Sequence, residues 1–139
     1  MSESIEGLRA RRAEIRRSIA ALTAKREQYL KKAEEIQRVY DRLKKDKGTV
    51  REYRRNVKTY SNRTFNNFQG NNYEYVYKPK MNDLLSSYDA LINRIDRNLD
   101  ALNDEILRQK NLASDCLGPL GVLGKALHTV QTSIENWTN

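Results

Sequence analysis

The chain has 139 residues, 38% of them hydrophobic and 32% charged, with a formal net charge of +8. That length fits one domain, and so polar a composition suits a thin core better than a spherical one. A single cysteine, Cys116, excludes an intramolecular disulfide and a cysteine-rich zinc site. No stretch approaches the ~20 apolar residues of a membrane span, and the N-terminal residues hold no apolar run of signal-peptide length. The expectation is a protein made in a reducing cytoplasm, without an integral membrane segment, whose export, if it occurs, uses a route with no cleaved N-terminal signal.

From Ile5 onward a 3–4 repeat runs through Leu8, Arg12, Ile15, Ile19, Leu22, Arg26, Tyr29, Ala33, Ile36, Tyr40, Leu43, Lys47 and Val50, a heptad seam held for more than six repeats. It predicts a long first helix, about residues 3–66, packed against another helix. Ser2 or Ser4 can cap it. Gly7 stands where a capping box after Ser4 needs glutamate. Arg12, Arg26 and Lys47 interrupt the seam. They either lay their stems over apolar surface or meet carboxylates of another helix and so select it. Gly48 costs about 1 kcal/mol relative to alanine inside a helix. The seam resumes beyond it as Tyr53, Val57, Tyr60 and Thr64, a change of phase that overwinds a coiled coil locally. A continuous but bent helix is expected there, with a break as the alternative.

The charge is uneven: residues 1–70 carry 19 Lys+Arg against 9 Asp+Glu, and residues 71–139 carry 7 against 9. Basic helices bind nucleic acid, anionic membrane or acidic proteins. Here acidic residues are interspersed around the helix, as on a solvated coiled-coil face, which argues against nucleic acid as the partner.

Phe65-Asn66-Asn67-Phe68-Gln69-Gly70-Asn71-Asn72-Tyr73 carries no charge, and four of its nine residues are asparagine. Asn and Gly favour turns over helix. The segment, about residues 67–74, reads as the apex of a helical hairpin fastened by Phe65, Phe68 and Tyr73, or else as an Asn-rich surface loop.

A second arm, about residues 77–116, follows, with Pro79 suited to its first turn. Its seam is Met81, Leu85, Tyr88, Ile92, Ile95, Leu99, Leu102, Ile106, Gln109, Ala113 and Cys116, and Leu84 and Leu91 widen the stripe toward a further neighbour. Cys116 falls in register as a small buried hydrophobe. Gly118-Pro119 ends the arm, and Leu120, Leu123, Leu127, Val130, Ile134 and Trp137 mark a last amphipathic helix, about residues 120–137. With an apex near residue 70, residue 119 lies opposite residue ~21, so this helix runs along the N-terminal third of the first arm. Arms of about 65 residues make a rod of roughly 90–100 Å. A third helix folded back into a short bundle is the alternative.

The expected fold is therefore all-α: an elongated antiparallel helical hairpin (coiled coil) with a short C-terminal helix after a Gly-Pro break, in one domain spanning 1–139. A hairpin this thin leaves its seams partly exposed until a helical partner or a second copy covers them. The candidate partner-binding residues are Ile15, Ile19, Leu22, Tyr29, Ile36 and Leu43 on the first arm. On the second they are Leu85, Ile92, Leu99, Leu102 and Ile106, with Leu123, Leu127 and Val130 on the last helix. Chemistry is not signalled. His128 is the sole histidine. There is no cluster with metal-ligand spacing, no nucleophile elbow and no Gly-rich phosphate loop. Asp96, Asp100 and Asp104 read as a solvated acidic stripe facing the basic first arm, with weak cation binding or pairing with Arg/Lys of another helix as the alternatives. Asn62-Arg63-Thr64 and Asn136-Trp137-Thr138 match the glycosylation pattern but carry no weight without a secretory signal. No enzyme activity and no cofactor are expected.

This layout of heptad-bearing helix, Phe68-Gln69-Gly70 turn and second helix resembles the WXG-type hairpins of type VII secretion, with Phe68 in place of tryptophan. It more specifically resembles the YwqH-like family of small helical proteins found beside LXG polymorphic toxins in Gram-positive bacteria. Tyr88-Asp89-Ala90-Leu91-Ile92-Asn93-Arg94-Ile95-Asp96 and Leu102-Asn103-Asp104-Glu105-Ile106 extend that likeness over most of the chain. The resemblance implies a subunit that binds the helical N-terminal LXG domain of a toxin, often with a second small helical protein, as a targeting factor or chaperone for interbacterial competition. It implies that Phe68 fills an interhelical pocket and that Gly70 allows a tight exit. WXG-type substrates also carry a Tyr-x-x-x-Asp/Glu signal, and no tyrosine here has an acid four residues on; an export signal then lies on the partner or is completed by the complex. The alternatives are a self-associating structural coiled coil and a basic nucleic-acid or membrane-surface binder.

Overall fold

In a computed structural model, which describes residues 4–61 and 77–138, the chain is all-α. Three helices account for it: α1 (Ile5–Ser61), α2 (Lys78–Asp115) and α3 (Leu117–Thr138). The expected apex, with Phe68 and Gly70, lies outside the described residues.

Ser4 starts α1. Its Oγ accepts a hydrogen bond from the Gly7 N–H at 3.0 Å, and its carbonyl accepts the first helical bond from Leu8 N–H at 3.0 Å. This is an N-cap without the reciprocal glutamate. The helix then runs unbroken through Gly48. Thr49 turns its hydroxyl back to the Lys45 carbonyl at 3.3 Å, so that hydroxyl does not compete for the helical ladder.

Every seam position from Ile5 to Val50 is buried or half-buried. Beyond Val50 the sequence expectation needs correction. Arg54 and Val57 continue the seam half-buried, whereas Tyr53 and Tyr60 are exposed. The heptad keeps its phase, and no overwinding step occurs. Arg54 can hold a seam position because it meets a carboxylate of α2 with both arms of its fork: Nε to Asp89 Oδ1 at 2.5 Å and a terminal nitrogen to Asp89 Oδ2 at 3.2 Å.

Pro79 occupies the first turn of α2, where its missing N–H costs nothing. The break between α2 and α3 falls on Cys116 alone. Pro119 causes it. Proline has no N–H for the Asp115 carbonyl four residues back, and its ring crowds that carbonyl. The chain tightens instead: Cys116 N–H donates to Ala113 at 3.2 Å, and helical bonding resumes with Leu120 N–H to the Cys116 carbonyl at 3.1 Å. Helix α3 therefore begins at Leu117, before the expected residue 120, with Gly118 and Pro119 inside its first turn.

The chain divides into two compact units. The first comprises Met1–Glu35 with Glu105–Asn139, the second Ile36–Asp104. In the first unit α3 returns along the start of α1. Leu8, Val130 and Ile134 form a buried cluster, with Ile5 and Ile15 packed against it. This is the place expected for the last helix, along the N-terminal part of α1. In the second unit α1 and α2 are antiparallel, because Lys47 meets Asp96 while Arg54, one heptad later, meets Asp89, one heptad earlier.

Candidate protein-interaction site

All fourteen candidate partner-binding residues lie on faces turned toward their own chain. Leu99, Ile106 and Val130 are buried, and the other eleven, among them Ile15, Ile19, Leu22, Tyr29, Ile36 and Leu43, are half-buried. Leu85, Ile92, Leu102, Leu123 and Leu127 belong to that half-buried set. The structure gathers Ile15 and Val130 around one cluster in the first unit. Cys116 is buried, with its thiol toward the Leu112 carbonyl at 3.5 Å.

The seam of the second unit has two unlike flanks. In heptad letters, Ile36, Leu43, Val50 and Val57 occupy d, with Tyr40, Lys47 and Arg54 at a. On α2, Leu85, Ile92 and Leu99 occupy a, with Tyr88 and Ile95 at d. Reversing one helix of a pair brings like flanks together, e beside e and g beside g.

The e flank is polar. Lys47 and Arg54 reach across it to Asp96 and Asp89. Lys44, Lys47, Gly48, Arg51, Asp96 and Asp100, together with the seam residues Tyr40 and Leu99, line an open groove of about 540 Å³ there. Two of the three acids in the stripe seen in the sequence, Asp96 and Asp100, therefore face the basic helix, as expected. Lys47, which interrupts the apolar seam, meets a carboxylate of its own second helix.

The g flank is largely apolar, with exposed Asp46 on α1 and Asn98 on α2 as its polar interruptions. Val39, Tyr53 and Tyr60 share one heptad position of α1, and Leu84 and Leu91 the equivalent position of α2. They are 49%, 54%, 45%, 41% and 39% exposed, respectively. Tyr60 touches Tyr77, the g residue just before α2, with ring centroids 6.4 Å apart and planes at 56°. Repeating that pair by one heptad along each antiparallel helix brings Tyr53 toward Leu84. Leu84 and Leu91 were legible in the sequence as a widened stripe. Val39, Tyr53 and Tyr60 were not, because the assumed change of phase put two of them inside the seam.

In the first unit Arg108 grips Glu105 on the same helix, Nε to Oε2 at 3.0 Å and a terminal nitrogen to Oε1 at 2.9 Å, and Gln109 Nε2 adds a bond to Oε1 at 2.9 Å. The Arg108 bond first, then the Gln109 bond, hold the Glu105 carboxyl down from 4.5 to about 2. This is local helix chemistry. Among the described residues no group of three His, Cys, Asp or Glu is placed to hold a metal ion, and no helix is long and apolar enough to cross a membrane. No family model, curated protein or solved structure matches the chain.

Proposed function

We propose that this protein is a non-enzymatic partner-binding subunit. It binds the helical N-terminal LXG domain of a polymorphic toxin and acts as a targeting factor or chaperone for type VII secretion. The observation that carries this reading is the incomplete cover of the seams: eleven of the fourteen candidate residues remain half-buried when the chain has folded on itself. Burying apolar area is worth roughly 25 cal/mol per Å², so such seams gain from an additional helix. The YwqH-like layout of the sequence supplies the identity of that helix. A second small helical protein joins the complex in this reading, and any export signal is contributed by the assembly.

Self-association is the competing reading, favoured by the same half-covered seams. Co-expression with the LXG-domain protein, affinity capture and mass by light scattering separate the two. Co-purification at a fixed stoichiometry is expected. A chain that runs alone as a stable dimer and leaves the LXG protein behind overturns the proposal.

A further inference from the structure

The geometry points to the g flank of the second unit as a docking surface for one amphipathic helix of a partner protein, with bulky aliphatic residues on its contact face and acidic residues along both edges. For the identity of the partner, the inference rests on the reading above; for the chemistry of the surface, it stands alone.

Three observations converge. The exposed apolar side chains Val39, Tyr53, Tyr60, Leu84 and Leu91 lie on one side of the helix pair, whereas the ion pairs Lys47–Asp96 and Arg54–Asp89 occupy the other. From residue 39 to residue 60 the row spans roughly 32 Å at 1.5 Å per residue, the length of a helix of about 20 residues. Sporadic exposed hydrophobes need no explanation, but a row at heptad spacing, broken here by Asp46 on α1 and Asn98 on α2, marks a helix-binding surface.

Charge decides the occupant. The positions next outward from the row between residues 39 and 94 are Arg42, Thr49 and Asn56 on α1 and Lys80, Ser87 and Arg94 on α2, all exposed. Three are cations and none is an acid; with Asp46 in the row itself, the flank carries three cations against one acid, a net of +2. Among the described residues Arg42, Lys80 and Arg94 make no ion pair, whereas on the opposite flank Lys47 and Arg54 are matched by acids of α2. A second copy docked flank to flank would bring two net-positive faces together, with Asp46 the single acid on each, which disfavours an isologous dimer here. A helix edged with Asp and Glu meets the same cations favourably and gains its register from them.

The test uses the full chain and two designed helical peptides of about 24 residues, both with leucine on the contact face, one edged with glutamate and one with lysine. Vesicles of phosphatidylserine and phosphatidylcholine form a third probe. The glutamate-edged peptide is expected to bind about tenfold or more tighter than the lysine-edged one. The pair Tyr53→Ser and Leu91→Ser should weaken that binding by about tenfold or more. The triple change Arg42→Glu, Lys80→Glu and Arg94→Glu should reverse the preference between peptides. Lys44→Ser, on the polar flank, should change nothing. These side chains are exposed, so unaltered circular dichroism and unfolding midpoints are expected for every variant. Equal binding of the two peptides, insensitivity to the Tyr53/Leu91 pair, or binding to the anionic vesicles alone overturns the inference.

Capture of the LXG-domain protein separates the two proposals. If the wild-type chain and the flank variants capture it equally, the docking surface is wrong and the functional reading stands. If the wild-type chain ignores it yet binds the glutamate-edged peptide through the flank, the surface stands and the LXG reading falls.

Discussion

Among the described residues nine apolar side chains are buried. Seven (Leu8, Ala33, Ile106, Ala113, Cys116, Val130 and Ile134) belong to the first unit, and Ile95 and Leu99 belong to the second. The described residues number 66 in the first unit and 54 in the second, too close to account for seven against two, and the described parts differ in how each is closed. The first brings back a hydrophobic helix, α3, against the start of α1. The second is closed by half-buried seam residues and by ion pairs on one flank, with large apolar side chains left exposed on the other; the first exposes large apolar side chains as well, Leu107, Leu117, Val122 and Trp137, so the units differ in their buried residues. On the inference drawn above, the exposed flank of the second unit is the surface a partner helix covers.

The largest expected effect tests this contrast directly. Ile106→Ala empties a site 3% exposed in the first unit and should cost about 3 kcal/mol in urea unfolding. Leu91→Ala removes as apolar a side chain from the flank of the second unit and should stay within about 0.5 kcal/mol. Equal losses would erase the distinction between a core and a docking row.

A smaller effect of opposite sign is expected at Gln109. It is the buried polar side chain in the first unit's seam, at 3% exposure, and although its amide nitrogen bonds Glu105, its Oε1 has no hydrogen-bond partner among the described residues. A buried acceptor left unmade costs about 1–3 kcal/mol. Gln109→Leu should therefore stabilise the chain by about 1 kcal/mol, read as a raised midpoint of thermal unfolding. A loss of stability would show that Gln109 fixes the register of the seam.

Much of this arrangement was legible in the sequence. The 3–4 spacing from Ile5 to Val50 and from Met81 to Cys116 is the burial pattern, because a helix face has one period and packing has to follow it. The absence of a capping box after Ser4 follows from residue type, and the return of the last helix along the start of α1 from the expected apex near residue 70 and the rise of a helix. Past Val50 the reading failed for an identifiable reason. Tyr53 is more apolar than Arg54, so hydrophobicity alone shifted the seam by one residue. Arg54 meets Asp89, 35 residues away, and such a long-range pair leaves no periodic trace. The same error hid the exposed row, since Tyr53 and Tyr60 had been assigned to the interior.

Within the second unit Gly48 offers a gain without touching either flank's chemistry. A Cβ built there meets nothing within 4 Å, and α1 is continuous across it. Gly48→Ala should add about 0.5–1 kcal/mol through helix propensity. The ion pair Arg54–Asp89 is worth less, because both side chains keep contact with water, at 30% and 52% exposure. A double-mutant cycle with alanine should give a coupling of about 0.5 kcal/mol that shrinks in high salt. A salt-independent coupling would mean that Arg54 acts through its stem in the seam.

The smallest effect concerns acid. The folded-state pKa of Glu105 lies below its ordinary value, at about 2 against 4.5, so its contribution to stability is complete above pH 4.5 and is lost as the pH falls from there toward 2. Glu105 and Arg108 are partly exposed neighbours on one helix, and screening keeps that contribution small. Titration of the Glu105 carboxyl by NMR is the sharper readout, and it ties back to Gln109. Arg108 supplies the larger share of the depression and Gln109 the next. In Gln109→Leu the carboxyl should therefore titrate higher than in the wild type yet still below 4.5, whereas in Arg108→Ala it should rise further. If the two variants reversed that order, the buried amide and not the guanidinium would be holding the carboxylate. Gln109 would then have a role in the seam that offsets the cost of its unmade acceptor.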